Sequence, residues 1–440
     1  MTSAQLFRRG TAITLLAKGW AVLAGIIQLG LITTLLTEME QGYFYTFSGM
    51  ILMQVLLELG FGLVIMQFVA HDWAHLRLSP AGEVEGDDQH RQRLGALLRL
   101  GIKWYAALSI IFLLLVGPIG QTLLSMHSTA GVSWRWPWWL LCLGVSLSIL
   151  TVPLRSLLEG VGEVADSYRI ALFAGVASSL CGWAALAAGW ALYAAPLIIG
   201  VSAAISLLLL LQSTRPYLRL MRGTTHHFDW KSEFLPQQIR IGISWFSGFF
   251  IFQSFVPITF ALRGPSEAGQ IGVALQIYNA INSLAASYLA NVQPRFGALG
   301  AHGEYREMRS LVRRTVALSM VLAFAFGGAA LLAIQAILHF LPGLAHRFPS
   351  LMVITPFVIT AVLMQISNVE TAAIRYQRVD PFWMLALIIA ALTTLSNFGM
   401  CWFWGISGTA IGFMVLSIGV LLPFVHRIYR KKIEQFEVKA

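Results

Sequence analysis

The sequence is poor in charge. Asp, Glu, Lys and Arg make up only 11% of its 440 residues, against 57% hydrophobic residues, and mean hydropathy is +0.72. A water-soluble domain with so few ionic groups could not cover its surface. Cysteine is scarce as well. Cys142, Cys181 and Cys401 all fall in apolar runs and read as packing residues, not as a disulfide framework or metal ligands. The short alternating strands of an outer-membrane barrel are missing. So is the G-x-x-x-x-G-K-[ST] loop of a nucleotide-driven pump. Arg8 and Arg9 precede an apolar run as in a signal peptide, but the run over 11–36 is too long and has no A-x-A-like end. It is expected to remain as a first helix.

What the chain does have is long apolar runs. Helical spans are expected at about 11–36, 43–70, 95–117, 135–158, 168–190, 193–213, 238–262, 268–292, 312–338, 351–374, 381–404 and 406–427. Each is long enough to cross a hydrocarbon core of about 30 Å. In lipid the backbone must satisfy its own hydrogen bonds, which selects helices. The split between the fifth and sixth, at Gly189 to Ala195, is weakly marked.

Charge placement gives the orientation. The chain has 30 Lys and Arg residues and a net charge of +10. With the N-terminus in the cytoplasm, only Arg135, Arg263 and Arg347 stand on the opposite side. That asymmetry is the positive-inside pattern. It accounts for the basic pI through anionic lipid headgroups, with no call for nucleic acid. Trp134, Trp136, Trp138 and Trp139 cluster at one helix entry, as an interfacial belt does. The outer loops are short, the longest being roughly 118–134. The acidic stretch 79–93 reads as a solvated loop. Residues 214–236 form the longest connection, with Arg215, Arg219 and Arg222 on one helical face, as on a surface-lying linker. His226 and His227 follow, too few ligands for a metal site.

That midpoint linker points to two six-helix halves. Glu40-Gln41-Gly42 enters the second span and Glu267-Ala268-Gly269 the eighth. Gly162-Glu163-Val164-Ala165-Asp166 leaves the fourth and Gln377-Arg378-Val379-Asp380 the tenth. Such a repeat would be parallel, about an axis along the membrane normal.

Polar residues inside spans mark cavities or helix contacts. Gln54 and Glu58 share a face of the second helix, and Glu58 is the deepest carboxylate. Its other role would be as buried partner of a cation such as Lys18. Ser148, Thr151, Arg155 and Glu159 line the fourth helix. Gln276, Asn279, Ser283 and Ser287 line the eighth. The tenth carries Gln365, Asn368, Thr371 and Arg375, with Glu370 beside them. Arg155 and Arg375 lie near cytoplasmic ends, where they could also snorkel. A cavity lined by Lys18, Arg155, Arg375, Gln54, Asn279 and Asn368 would attract an anion attached to a polar body. Glu58 and Glu370 are the candidates for ion coupling.

The run Gln41-Gly42-Tyr43-Phe44-Tyr45-Thr46-Phe47-Ser48, followed by Gln54 and by Glu58-Leu59-Gly60, resembles the second-helix region of bacterial polysaccharide exporters. These form the polysaccharide transporter branch, with its O-antigen flippases, of the multidrug/oligosaccharidyl-lipid/polysaccharide flippase superfamily. The resemblance implies an all-α polytopic membrane protein of about 12 transmembrane helices, in two pseudo-symmetric six-helix bundles around a central cavity. The bundles would be residues 1–213 and 238–440, joined by a cytoplasmic linker over 214–237. It also implies a bacterial inner-membrane flippase, both termini cytoplasmic, that moves an undecaprenyl-diphosphate-linked oligosaccharide outward. No catalytic residue, metal or cofactor goes with that reading. The lipid bilayer is its surroundings, and polysaccharide polymerase machinery a partner. The family shares no fixed motif, so the site residues above rest on position alone.

Two other readings remain. A drug exporter of the same superfamily typically carries a coupling carboxylate in its first or seventh helix. Here the first has Lys18 and no acid, and the seventh has no acid between Ile241 and Leu262. An integral-membrane glycosyltransferase would use acids such as Glu38 and Glu40 in an outer loop, but that loop spans only about six residues and reads as a helix cap.

Overall fold

The computed structural model describes residues 3–79, 82–127, 131–222, 235–345, 347–377 and 381–439. His226, His227 and the exit residues Arg378 to Asp380 lie outside them. The chain divides into two compact units, Met1–Phe246 and Ser247–Ala440.

Within the described residues the helices form twelve spans. Eight stretches are long and apolar enough to cross a membrane, and two bent pairs add two more. One of the eight, Trp383–Glu437, is really two spans. Gly405 breaks it with φ 62° and ψ −154°, backbone that only glycine adopts without strain. The chain folds back there, so that Ser396 Oγ reaches Gly412. The remaining span, Pro265–Ala301, is 37 residues long but too polar to pass on apolarity.

In the N-terminal unit the first helix, Ser3–Leu35, packs on the fifth, Val164–Ala187, and the fifth on the sixth, which begins at Ala194. Thr37 caps the second span in a full capping box with Glu40, satisfying two orphan N–H groups at once. The third span, Asp88–Ser125, and the fourth, Arg135–Gly160, meet through small residues. Ser109 and Ser146 each donate to the other's carbonyl, at 2.8 and 3.1 Å. Gly117 and Gly120 leave room for the rings of Trp139 and Trp138. Close approach through Gly and Ser is how membrane helices gain packing without a hydrophobic drive.

The expectation of an unbroken second span over 43–70 is corrected. The span bends by 47° between Glu38–Glu58 and Phe61–Trp73. Leu59 and Gly60 both take left-handed backbone, φ 47° and 74°. A Leu there is strained, and neighbours hold it. The side-chain amide of Gln238, on the helix Leu235–Phe252, donates to Leu59 O at 2.8 Å.

The loop reading of 79–93 is corrected as well. Leu76–Leu78 and Val84–Gly86 pair as an antiparallel hairpin, closed across its strands by Arg77 and Glu85. From Asp88 on the chain is helical, because Asp87 accepts from the N–H groups of Gln89 and His90. Residues up to Arg222 continue the sixth span as helix and a tight turn, anchored where Arg99 donates to Met221 O.

In the C-terminal unit a core gathers one end of five spans, with Phe296, Met308, Ile374, Phe382 and Ile433 among its residues. Nearer the other end, Phe255, Tyr278, Phe357 and Phe413 form an edge-to-face aromatic cluster, a geometry that favours ring quadrupoles. Arg263, one of the three basic residues assigned to the outer side, has a structural role. Its guanidinium donates to Cys401 O at 2.8 Å and to Trp402 O at 2.7 Å. It thereby satisfies carbonyls that the break at Gly405 leaves without helical partners.

Candidate functional site

Glu58 lies at the break in the second span. It ends the short helix Gln54–Glu58, and Tyr105 of the third span donates its hydroxyl to Glu58 Oε1 at 3.0 Å. The Gly62 N–H, in the first turn of the next helical segment, also donates to it. That turn presents backbone N–H groups with no helical acceptor, so a carboxylate is held there by dipoles. Its partner is thus a phenol and a helix N-terminus, not Lys18. Gly62 is packed against the fourth span. A Cβ at that position would meet Val152 Cγ1 at 2.8 Å and Ser156 Oγ at 3.1 Å. Tyr105 is fully buried and was not singled out from the sequence. One buried hydroxyl in an apolar helix was the signal available.

Glu370 has a partner of the same kind. It is 4% exposed, and His426 Nδ1 of the twelfth span lies 2.7 Å from its Oε1. The other oxygen, Oε2, is buried without a hydrogen bond. His426 was also missed, because the sequence places it 56 residues away in a basic tail. Gln365 bonds Asn282 Oδ1 at 2.9 Å, one turn from Asn279. That amide is helix-to-helix glue.

The remaining candidates differ in exposure. Lys18, Asn279, Asn368 and Arg375 are exposed on the protein surface, while Gln54 and Arg155 are half-buried. No hydrogen bond or ion pair among the described residues joins Lys18 to Glu58. The fourth-span stripe is partly satisfied locally: Thr151 donates to Ser148 O at 2.7 Å, and Glu159 accepts from Ser167 at 2.9 Å.

A second polar cluster lies at the cytoplasmic end assigned to the second and third spans. Asp72 is completely buried. His90 Nδ1 stands 3.0 Å from its Oδ1, and Arg93 Nε 3.6 Å from Oδ2. The rings of His75 and His90 stack at 4.1 Å. No group of three or more His, Cys, Asp or Glu among the described residues is arranged to hold a metal ion. The cluster ties the hairpin to the helices.

No protein-family model matches the chain, and no curated protein does. Solved structures do. The chain is similar to an inward-facing multidrug resistance MATE family transporter of the MOP superfamily, at 14% identity, covering 97% of this chain and 96% of that one with a TM-score of 0.68. It is similar to the lipid II flippase MurJ in an inward closed conformation, at 10% identity, covering 98% and 90% with a TM-score of 0.67. A MATE transporter of Vibrio cholerae also matches, at 15% identity, covering 98% and 97% with a TM-score of 0.58. The expected class, an all-α polytopic membrane protein of about twelve spans in two halves, is therefore correct: this chain has the fold shared by MATE transporters and the MurJ flippase.

Proposed function

We propose that the chain is a flippase that moves an undecaprenyl-diphosphate-linked oligosaccharide from the cytoplasmic to the periplasmic leaflet of a bacterial inner membrane, by alternating access, for surface polysaccharide synthesis. One observation carries the reading furthest. Lys18, Asn279 and Asn368 lie within spans and are nevertheless exposed. Polar groups at that depth do not face lipid stably, so in each unit they mark a surface that faces water. A cation and carboxamides suit a diphosphate carrying a hydroxyl-rich glycan. In this reading Lys18, Arg155 and Arg375 draw the diphosphate from the inner leaflet, and Gln54, Asn279 and Asn368 bond the sugars. The polyprenyl tail stays in the bilayer, and Glu58 and Glu370 respond to protons or ions.

The drug-exporter reading has the same fold behind it, since the two TM-scores hardly differ. It lacks the carboxylate that such exporters typically place in the first or seventh helix. Deletion of the gene in its bacterial host separates the two. Loss of surface glycan with completed lipid-linked repeat units trapped in the inner leaflet supports the flippase. Normal glycan without trapped units, in a strain lacking any redundant flippase, overturns it.

A further inference from the structure

In the N-terminal unit three connections lie on one side of the spans: those after the first, third and fifth helices. All three contribute to one open cavity of about 550 Å³, lined by Glu40, Gly131, Ser133, Gly189, Trp190, Ala191, Leu192 and Tyr193. The volume is in the range of about 300–1,000 Å³ that small-ligand sites occupy. By the distribution of Lys and Arg this is the outer face.

The backbone around it is fixed in an unusual way. Gly189 is left-handed, φ 76°. Its N–H donates to Leu186 O at 3.0 Å and that of Trp190 to Ala185 O at 2.9 Å, the double bond of a Schellman stop. Ala191 then takes φ 44°, one of two positive-φ non-glycine residues in the described chain. The other, Leu59, borders the candidate carboxylate. Such strain persists where surrounding structure enforces it, and it gathers at binding sites. Here it holds Trp190 with 60% of its surface exposed and Tyr193 with 36%. Across the cavity, Glu40 accepts from the Thr37 N–H and hydroxyl on Oε2, and among the described residues Oε1 is left for a ligand. No Lys or Arg is among the described residues that line the site.

We propose that this cavity binds a neutral or amino-bearing pyranose. A sugar ring has a C–H face, which packs on an exposed indole or phenol, and a rim of hydroxyls, which a carboxylate and a serine hydroxyl can bond. The acidic, cation-free lining disfavours a diphosphate. The cavity is therefore not a second copy of the inner anion site. In a flippase it would hold the glycan as it emerges on the outer side. The inference deepens the proposed function, and rests on it for the natural ligand.

The test uses the purified full chain in a detergent without a sugar headgroup. Saturation-transfer difference NMR is recorded with chitobiose, maltose and glucuronate as probes. Saturation should reach the C–H face of at least one of the two disaccharides, and reach glucuronate less. Trp190→Ala should weaken binding about tenfold, and Trp190→Phe should retain most of it. Ser133→Trp, which fills the cavity from an exposed loop position, should also abolish binding and covers the case that Trp190→Ala misfolds. No transfer to either disaccharide, or transfer unchanged in both cavity variants, overturns the proposal and makes the two rings an interfacial belt only. The assay reads the cavity alone. A negative result here, with lipid-linked units still trapped in the deletion strain, leaves the flippase standing; a positive result without trapped units does the reverse.

Discussion

Tyr105 and Glu58 form a 3.0 Å hydrogen bond between the third span and the break in the second. The break itself is Leu59 and Gly60 in left-handed backbone. A discontinuous helix offers unpaired N–H groups and carbonyls at membrane depth, which is where transporters place their binding and coupling groups. The pair therefore ties the third span to a bent point in the backbone of the second.

That coupling is measurable. Tyr105→Phe removes the hydroxyl and leaves Glu58 with one donor fewer; Glu58→Gln keeps an acceptor for the phenol. Tyr105→Phe should lower stability by about 1–3 kcal/mol, and Glu58→Gln by less. A thermal-melt double-mutant cycle of Tyr105→Phe with Glu58→Leu, which removes the acceptor, should show the two effects to be non-additive. Additive effects would mean that the bond contributes nothing. In transport, Glu58→Gln should flatten the pH dependence. Normal transport across a range of pH in that variant would remove Glu58 from the coupling scheme.

The substrate cations make a separate prediction. Lys18→Gln, Arg155→Gln and Arg375→Gln combined should slow transport of a diphosphate-linked lipid while leaving the melting temperature close to that of the parent, because Lys18 and Arg375 are exposed and Arg155 half-buried. Intact transport in the triple variant would end the assignment.

How much of this could be read from the sequence follows from the range of the interactions. The spans were legible because apolarity over about 20 residues is a local property. The boundary between the eleventh and twelfth was legible too, since Gly405 interrupts the run. The break at Leu59 was not, because Glu58-Leu59-Gly60 sits inside a continuous apolar stretch and depends on Gln238 from a distant helix. The hairpin at 76–86 escaped because three-residue strands carry no periodicity. Glu58 and Glu370 stood out by depth, but their partners Tyr105 and His426 lie 47 and 56 residues away. Pattern along the chain does not encode contacts of that length.

Asp87 supplies a prediction outside the membrane. The N–H groups of Gln89 and His90 hold its carboxyl below the usual aspartate range, because they bond the ionised form. A lowered folded-state value means the stabilisation is complete above the ordinary aspartate pKa of about 3.9 and is lost as pH falls below it. The protection factors of the Gln89 and His90 amides, exchange taken relative to the intrinsic rate at each pH, should therefore fall on acidification into that window. Asp87→Asn, which still caps, should make those protection factors pH-independent there. An unchanged pH profile in Asp87→Asn would show that another group is responsible.

Gly405 and Arg263 act together at the turn between the last two spans. Gly405→Ala places a Cβ 3.4 Å from Glu267 Oε2 and 3.9 Å from the Arg263 guanidinium, in backbone closed to alanine. It should lose about 1–3 kcal/mol. Arg263→Gln should lose a similar amount, since carbonyls of Cys401 and Trp402 then lack their donors. Melting temperatures of the two variants in detergent check both. A Gly405→Ala protein as stable as the parent would mean that the turn relaxes into ordinary helix.

The Glu370–His426 pair yields the sharpest contrast between partner loss and pair loss. Glu370 is buried with one oxygen unbonded, and His426 Nδ1 at 2.7 Å is its only hydrogen-bond partner among the described residues. His426→Leu strips the imidazole and leaves a buried carboxylate, so about 1–3 kcal/mol should be lost. His426→Gln keeps a donor and should lose less. Removing both groups, Glu370→Leu with His426→Leu, eliminates the stranded charge, and stability should recover toward the parent value. If the pair is only structural, that double variant should also transport normally at every pH. If Glu370 carries a transported or sensed proton, the double variant should be stable yet lose its pH response. A stable double variant with an unaltered pH profile would confine the pair to packing.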